Sequence, residues 1–158
     1  FYPYEPSVSI PLYIRWPGHF NAGFDTRIAS SLDVTATILD AAQVTPDPTK
    51  PLDGDTLLLP GTHSTAFSEY FYDIANGYMS TWAMLRGTTW KYIETDHVNP
   101  TTGVHTLYRE YYDLVADPNE WSNVLRDGNP ANDPPAARLT ELAAQLQAAR
   151  TCSGTTCP

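Results

Sequence analysis

Only two cysteines, Cys152 and Cys157, stand among 158 residues, and both lie at the extreme end of the chain, so no disulfide framework organises this fold. No apolar run approaches the roughly 20 residues of a membrane-spanning helix. The start carries no charged segment leading into an apolar one, so nothing reads as a membrane anchor or a secretion leader. Lys and Arg together number nine against eighteen Asp and Glu, a formal net charge of -9. With no basic run to neutralise phosphates, nucleic acid is excluded as a partner. The same negative field argues against long sulfated polymers as ligands, except where a site is locally basic.

The chain is instead rich in aromatic and turn-forming residues. A hydrophobic fraction of 42%, with ten Tyr and four Trp, belongs to a packed globular protein rather than a disordered tail, and fourteen Pro with nine Gly imply many loops. The length suits one core burying roughly 70% of the unfolded surface. The chain opens at Phe1 inside what reads as a continuing segment, so further sequence, with any signal peptide, is expected upstream.

Ser9 to Trp16, ending at Pro17-Gly18, fits a short buried strand closed by a turn. Ser30-Ser31-Leu32-Asp33 reads as a helix start, with Ser30 as N-cap and Asp33 reaching back, followed by Ala36, Leu39 and Ala42 on one face. Prolines at 46, 48 and 51 and the run Asp53-Gly54-Asp55 mark loop and a candidate boundary. Beyond it, Ala66 to Tyr72, Thr81 to Arg86, Trp90 to Thr95 and Thr106 to Leu114 are aromatic and β-branched runs. Asn76-Gly77, Gly87 and Asn99 to Gly103 separate them, which predicts a small antiparallel sheet. After Pro134-Pro135, apolar Leu139, Leu142, Ala143 and Leu146 predict one closing helix over one face of that sheet.

Several residues invite a chemical role. His19, His63, His97 and His105 are potential metal ligands, but no pair has the three- or four-residue spacing of a helical site. His97 and His105 flank the Asn99 to Gly103 turn and are placed to face each other across a hairpin. His19 follows a strand end, where α/β sheets bind ligands, and is the better candidate for a cleft rim. Arg15, Lys91 and Arg109 fall within predicted strands, where structural ion pairing is expected. Asp113, Asp117 and Glu120 resemble paired acid and base carboxylates, yet the Asp117-Pro118-Asn119-Glu120 order also makes a turn with local hydrogen bonds. The aromatic residues at 70, 71, 72, 78, 82, 90, 92, 108, 111 and 112 offer a sugar-stacking platform, with sheet packing as the default. Cys152 and Cys157 suit a small disulfide loop containing Gly154 and hence an extracytoplasmic protein; unpaired surface thiols are the alternative.

Tyr112 to Val124, with Tyr112-Asp113-Leu114, Asp117-Pro118-Asn119-Glu120 and Asn123, resembles the C-terminal signature of the sulfatases. Four further stretches resemble the same family in family order: Tyr4-Glu5 with Ile10-Pro11 and Pro17-Gly18, Ser31 to Asp40, Asp53 to Leu57, and Leu85 to Ile93. Ala36 stands where that family usually has Pro. The resemblance implies the end of a sulfatase α/β domain over residues 1–60. Residues 61–158 then form a C-terminal subdomain of antiparallel sheet plus helix. It further implies a parent enzyme that hydrolyses sulfate esters with a formylglycine, made from Cys or Ser in Cys/Ser-x-Pro-x-Arg, and a divalent metal, usually calcium.

Neither falls on these residues. Cys152 has Gly154 and Thr156 where that motif needs Pro and Arg, and no Ser satisfies it. No residue of this chain is therefore assigned as catalytic or as a metal ligand, and no substrate contact is assigned. Its expected partner is the N-terminal catalytic part of the same protein, its expected location extracellular or periplasmic. A non-catalytic glycan- or protein-binding module, and the C-terminal part of a related phosphodiesterase or phosphonate hydrolase, are the alternatives. The fragment reading predicts that residues 8–16 and 31–42 are incompletely enclosed.

Overall fold

The computed structural model describes residues 2–60, 63–71 and 80–158. Its centre is a four-stranded antiparallel sheet in sequential order, β1 (Ala66–Tyr70), β2 (Thr81–Arg86), β3 (Trp90–Val98) and β4 (His105–Asp113). Among the described residues three α-helices accompany it, α1 (Glu5–Val8), α2 (Ser31–Ala41) and α3 (Ala136–Ala149). The expected small antiparallel sheet with a C-terminal helix is what forms. The anticipated turn at Asn76-Gly77, together with Tyr72 and Tyr78, lies outside the described residues.

Alternation along the strands sends two sets of side chains to opposite faces. On one face Ala83, Leu85 and Tyr92 pack beneath Leu142, Leu146 and Ala149 of α3. On the other face Trp82, Met84, Ile93 and Tyr112 pack against Tyr4 and Val8, at the two ends of the α1 segment. The register lines up Tyr70, Trp82, Thr95 and Tyr108 as one row crossing all four strands on this second face. Gly87 is required at the β2–β3 turn, since a Cβ there would fall 2.3 Å from the Trp90 indole nitrogen.

β4 is an edge strand. Two of its outward backbone groups are met by Asn123, whose Oδ1 accepts from Tyr111 N–H at 3.1 Å and whose Nδ2 donates to the Arg109 carbonyl at 3.3 Å.

The stretch from Ser9 to Trp16 corrects the expected strand. It is not paired with any other segment among the described residues, and Ile10 and Tyr13 are 72% and 90% exposed. The alternation that suggests a strand records which side chains would be covered, whereas a strand exists only where a neighbour completes its ladder. Leu32 and Ile38 on α2 are likewise exposed, so residues 8–16 and 31–42 are not fully enclosed, although Asp33, Ala36 and Thr37 are buried.

The α2 start forms as its residues predict: Ser30 N–H donates to Asp33 Oδ2 at 2.7 Å and Leu32 N–H to Ser30 Oγ at 3.1 Å. Asp33, fully buried, also takes the Asp55 N–H on Oδ1 at 2.9 Å, and Thr37 Oγ1 accepts Leu57 N–H at 2.9 Å. The Asp53 to Leu57 loop is thereby fastened along α2. A Cβ on Gly54 would fall 2.4 Å from the Leu32 carbonyl carbon, so only glycine permits that approach.

At the far end Cys152 and Cys157 form the disulfide. Its loop carries Gly154 at φ +59°, buried, with its N–H donating to Asp53 Oδ1 at 2.7 Å across 101 positions.

Candidate functional site

Lys91 has its side chain wholly buried on β3. A buried ammonium persists only with counter-charges and acceptors around it, and three groups supply them. Glu5 Oε1 lies at 2.7 Å and Glu120 Oε1 at 2.6 Å, while the Pro3 carbonyl accepts from Nζ at 3.1 Å. The Glu120 contact is an ion pair without the alignment of a hydrogen bond. The other Glu120 oxygen accepts the Glu5 N–H at 2.5 Å, and Arg86 Nε reaches Glu5 Oε1 at 3.2 Å.

Glu120 holds this position with its backbone at φ +56°, in the left-handed region that costs a side-chain-bearing residue about 1 kcal/mol or more. The turn thus bends so that a carboxylate points inward at Lys91. This corrects the expected grouping of Asp113, Asp117 and Glu120. Asp113 and Asp117 do hold the turn, accepting from the N–H groups of Val115, Ala116 and Ser122. Glu120 instead belongs to the buried cluster.

Burial pulls the Glu5 carboxyl upward, but hydrogen bonds from Lys91 and Arg86 outweigh it and hold Glu5 below its ordinary value of 4.5. Beside the cluster, Tyr4 and Tyr112 hydroxyls both donate to Glu110 Oε2, at 3.2 and 2.5 Å. Burial, reinforced by that carboxylate, raises both phenols. On the other face Tyr92 donates to Glu94 at 2.7 Å and is raised by burial and by that bond, while Arg109 pairs with Glu94 at 3.2 Å.

The histidines do not converge. His19 stacks on Trp16 at 3.7 Å in the exposed stretch that forms no strand, so no strand end places it at a cleft rim. His97 and His105 do not face each other: Val98 pairs with His105 and His97 with Thr106, which puts the two rings on opposite faces. They find Ser80 and Asp96 instead. His63 sits 3.1 Å from Asp33 Oδ1 and 3.7 Å from Asp55 Oδ2. Calcium takes six to eight oxygens, and no three His, Cys, Asp or Glu side chains among the described residues gather as metal ligands. The residues described here do not fit the metal that the resemblance implies. Among the described residues no helix is long and apolar enough to cross a membrane. Arg15 lies exposed in the unpaired stretch.

Of the aromatic residues, Trp82, Tyr92 and Tyr112 are core. Tyr70 and Trp82 stack at 6.2 Å, and Arg126 lies over the Tyr108 ring at 5.0 Å. The Lys91 cluster is what reading residue by residue misses. Its signal is that three family-like stretches each place one charge beside an aromatic residue, at Tyr4-Glu5, Lys91-Tyr92 and Glu120-Trp121.

Comparison with known proteins adds to this geometry. A family described as N-sulphoglucosamine sulphohydrolase, C-terminal, matches residues 1–149. No curated protein matches. Two solved structures share the fold. One is of BT4656 in complex with its substrate D-glucosamine-2-N,6-O-disulfate, with a TM-score of 0.52, 22% identity, and coverage of 73% of this chain and 22% of that one. The other is a putative sulfatase from Bacteroides thetaiotaomicron VPI-5482, with a TM-score of 0.52, 21% identity, and coverage of 73% and 23%. The chain therefore spans less than a quarter of the length of these structures. With its sheet, its closing helix and the family match running from the first residue through α3, the chain belongs to the C-terminal family of the N-sulphoglucosamine sulphohydrolases, a family of sulfatases.

Proposed function

We propose that this chain is the C-terminal part of an enzyme that hydrolyses sulfate esters, and that it braces a catalytic centre carried by an N-terminal part of the same protein. The observation that carries the reading is the family match over residues 1–149. The Lys91 cluster gives it a physical basis, because Glu5, Lys91 and Glu120 from three family-like stretches meet there. Through Pro3, Tyr4 and Glu5 it fixes the start of this chain on the sheet, and so aims whatever is joined ahead of it.

Residues 1–60 then close the large α/β domain and residues 61–158 form the small subdomain. The exposed Ile10, Leu12, Tyr13 and Ile14, with Leu32 and Ile38 of α2, are the surfaces that domain would cover. Formylglycine and calcium would be held by the N-terminal part and would there supply the nucleophile and neutralise sulfate charge. This chain's residues contribute orientation. The disulfide supports a secreted or periplasmic enzyme.

The test is an assay of the 158-residue chain beside the same chain extended upstream through a Cys/Ser-x-Pro-x-Arg motif. The short chain is expected to leave an aryl sulfate unchanged and the long one to hydrolyse it in a calcium-dependent manner. D-Glucosamine-2-N,6-O-disulfate, the substrate of the similar BT4656, is the first sugar to try. Turnover of a phosphodiester or phosphonate but no sulfate ester by the long chain would replace this reading with the related hydrolase.

A further inference from the structure

The second face of the sheet is not fully covered. Where α1 ends its cover, a cleft of about 530 Å³ opens, within the range of roughly 300–1,000 Å³ typical of small-molecule sites. Trp82, Thr95 and Tyr108, three members of the cross-strand row, line it together with Tyr2 and Tyr4. The rings of Tyr2 and Tyr4 stack with 18° between their planes, at 6.4 Å.

Two charged groups in this cleft have capacity to spare. Arg126 stands over the Tyr108 ring and forms no ion pair among the described residues. Glu110, which also lines the cleft, receives both the Tyr4 and Tyr112 hydroxyls on Oε2. No protein donor reaches its Oε1 among the described residues. The cleft thus combines aromatic faces, one fixed carboxylate acceptor and one unneutralised guanidinium in a chain of net charge -9. Aromatic faces suit the C–H face of a sugar ring, a fixed carboxylate suits its hydroxyl or amino groups, and a guanidinium suits a sulfate or carboxylate.

We propose that this cleft binds a sugar ring carrying an anionic substituent, with Tyr108 against the ring, Glu110 accepting from its polar groups and Arg126 on the anion. The choice of sulfate as that anion rests on the sulfate-ester reading above; the cleft itself does not.

The experiment is an NMR titration of the isotopically labelled 158-residue chain with D-glucosamine 6-sulfate, D-glucosamine, D-glucuronic acid and inorganic sulfate in parallel. The sulfated sugar is expected to shift the Trp82 indole N–H and the amides of Thr95 and Tyr108. Arg126→Ala should weaken it at least tenfold while leaving D-glucosamine unchanged, and Tyr108→Ala should weaken both sugars. Both residues are exposed, so the fold should survive, and an unchanged thermal midpoint checks this. Glucuronic acid binding here without the sulfated sugar upholds the cleft and counts against sulfate as its anion. Inorganic sulfate giving the same shifts at the same affinity overturns the proposal, as does the absence of shifts in these residues with either anionic sugar at about 10 mM, well above a millimolar Kd.

Discussion

Lys91 Nζ and Glu120 Oε1 lie 2.6 Å apart with both side chains fully buried. They come from β3 and from the turn after β4, and what they enclose is the Glu5 end of the chain. A buried pair is costly to form and more costly to break, since removing one member strands the other's charge.

Glu120→Ala should therefore destabilise the chain by about 3 kcal/mol, at the lower end for a broken buried pair because Glu5 still faces Lys91. Lys91→Met should be at least as damaging, leaving two carboxylates together. The double variant Lys91→Met, Glu120→Gln should cost less than the sum of its singles. Urea unfolding of the four proteins gives the coupling, and strict additivity would deny that the pair acts as a unit.

Acid should loosen the same cluster. With Glu5 held below 4.5 in the folded state, the unfolded chain binds the proton more readily. The stabilisation is fully present above about pH 4.5 and is lost as pH falls through the lower folded value. The thermal midpoint of the unaltered chain should fall in this window more steeply than that of Glu5→Gln. Parallel curves would place the acid sensitivity elsewhere.

At the other extreme, Tyr4, Tyr92, Tyr111 and Tyr112 all have phenols raised above 10.0, each chiefly by burial. Their folded state retains the proton longer than the unfolded state, so this stabilisation is whole below pH 10 and declines as pH climbs beyond it. An ultraviolet titration should show delayed ionisation of these four, abolished in denaturant. Tyr112→Phe should remove one delayed phenol from the count.

The disulfide closes a loop of only a few residues, so Cys152→Ser with Cys157→Ser should lower stability by no more than about 2 kcal/mol. The larger effect should be local. Gly154 N–H, buried on Asp53, should exchange with solvent faster once the loop is open. Amide exchange at Gly154 checks this, and an unchanged rate would mean that the loop holds its shape without the bond.

Local patterns were readable in advance, and pairings across the chain were not. The capping box of α2 needs only Ser30 and Asp33, and the face of α3 only its own leucines, so periodicity and capping chemistry locate both. The four strands follow from aromatic and β-branched runs between turn residues. The Ser9 to Trp16 stretch has the same local character and still forms no strand, since ladder bonds come from a second segment. Glu120 shows the converse: beside Asp117-Pro118 it reads as a turn residue, and its partner is a lysine 29 positions earlier on β3 that its own turn does not specify.

Asn123 has a further consequence for how copies of this protein behave together. An edge strand with free N–H and carbonyl groups is a template on which another molecule's strand can grow. By engaging the Tyr111 N–H and the Arg109 carbonyl, one side-chain amide occupies two of the sites such a visitor would need and blunts β4 there as a seed for aggregation. Asn123, near the end of the sulfatase-like signature, thus guards the solubility of the sheet it follows.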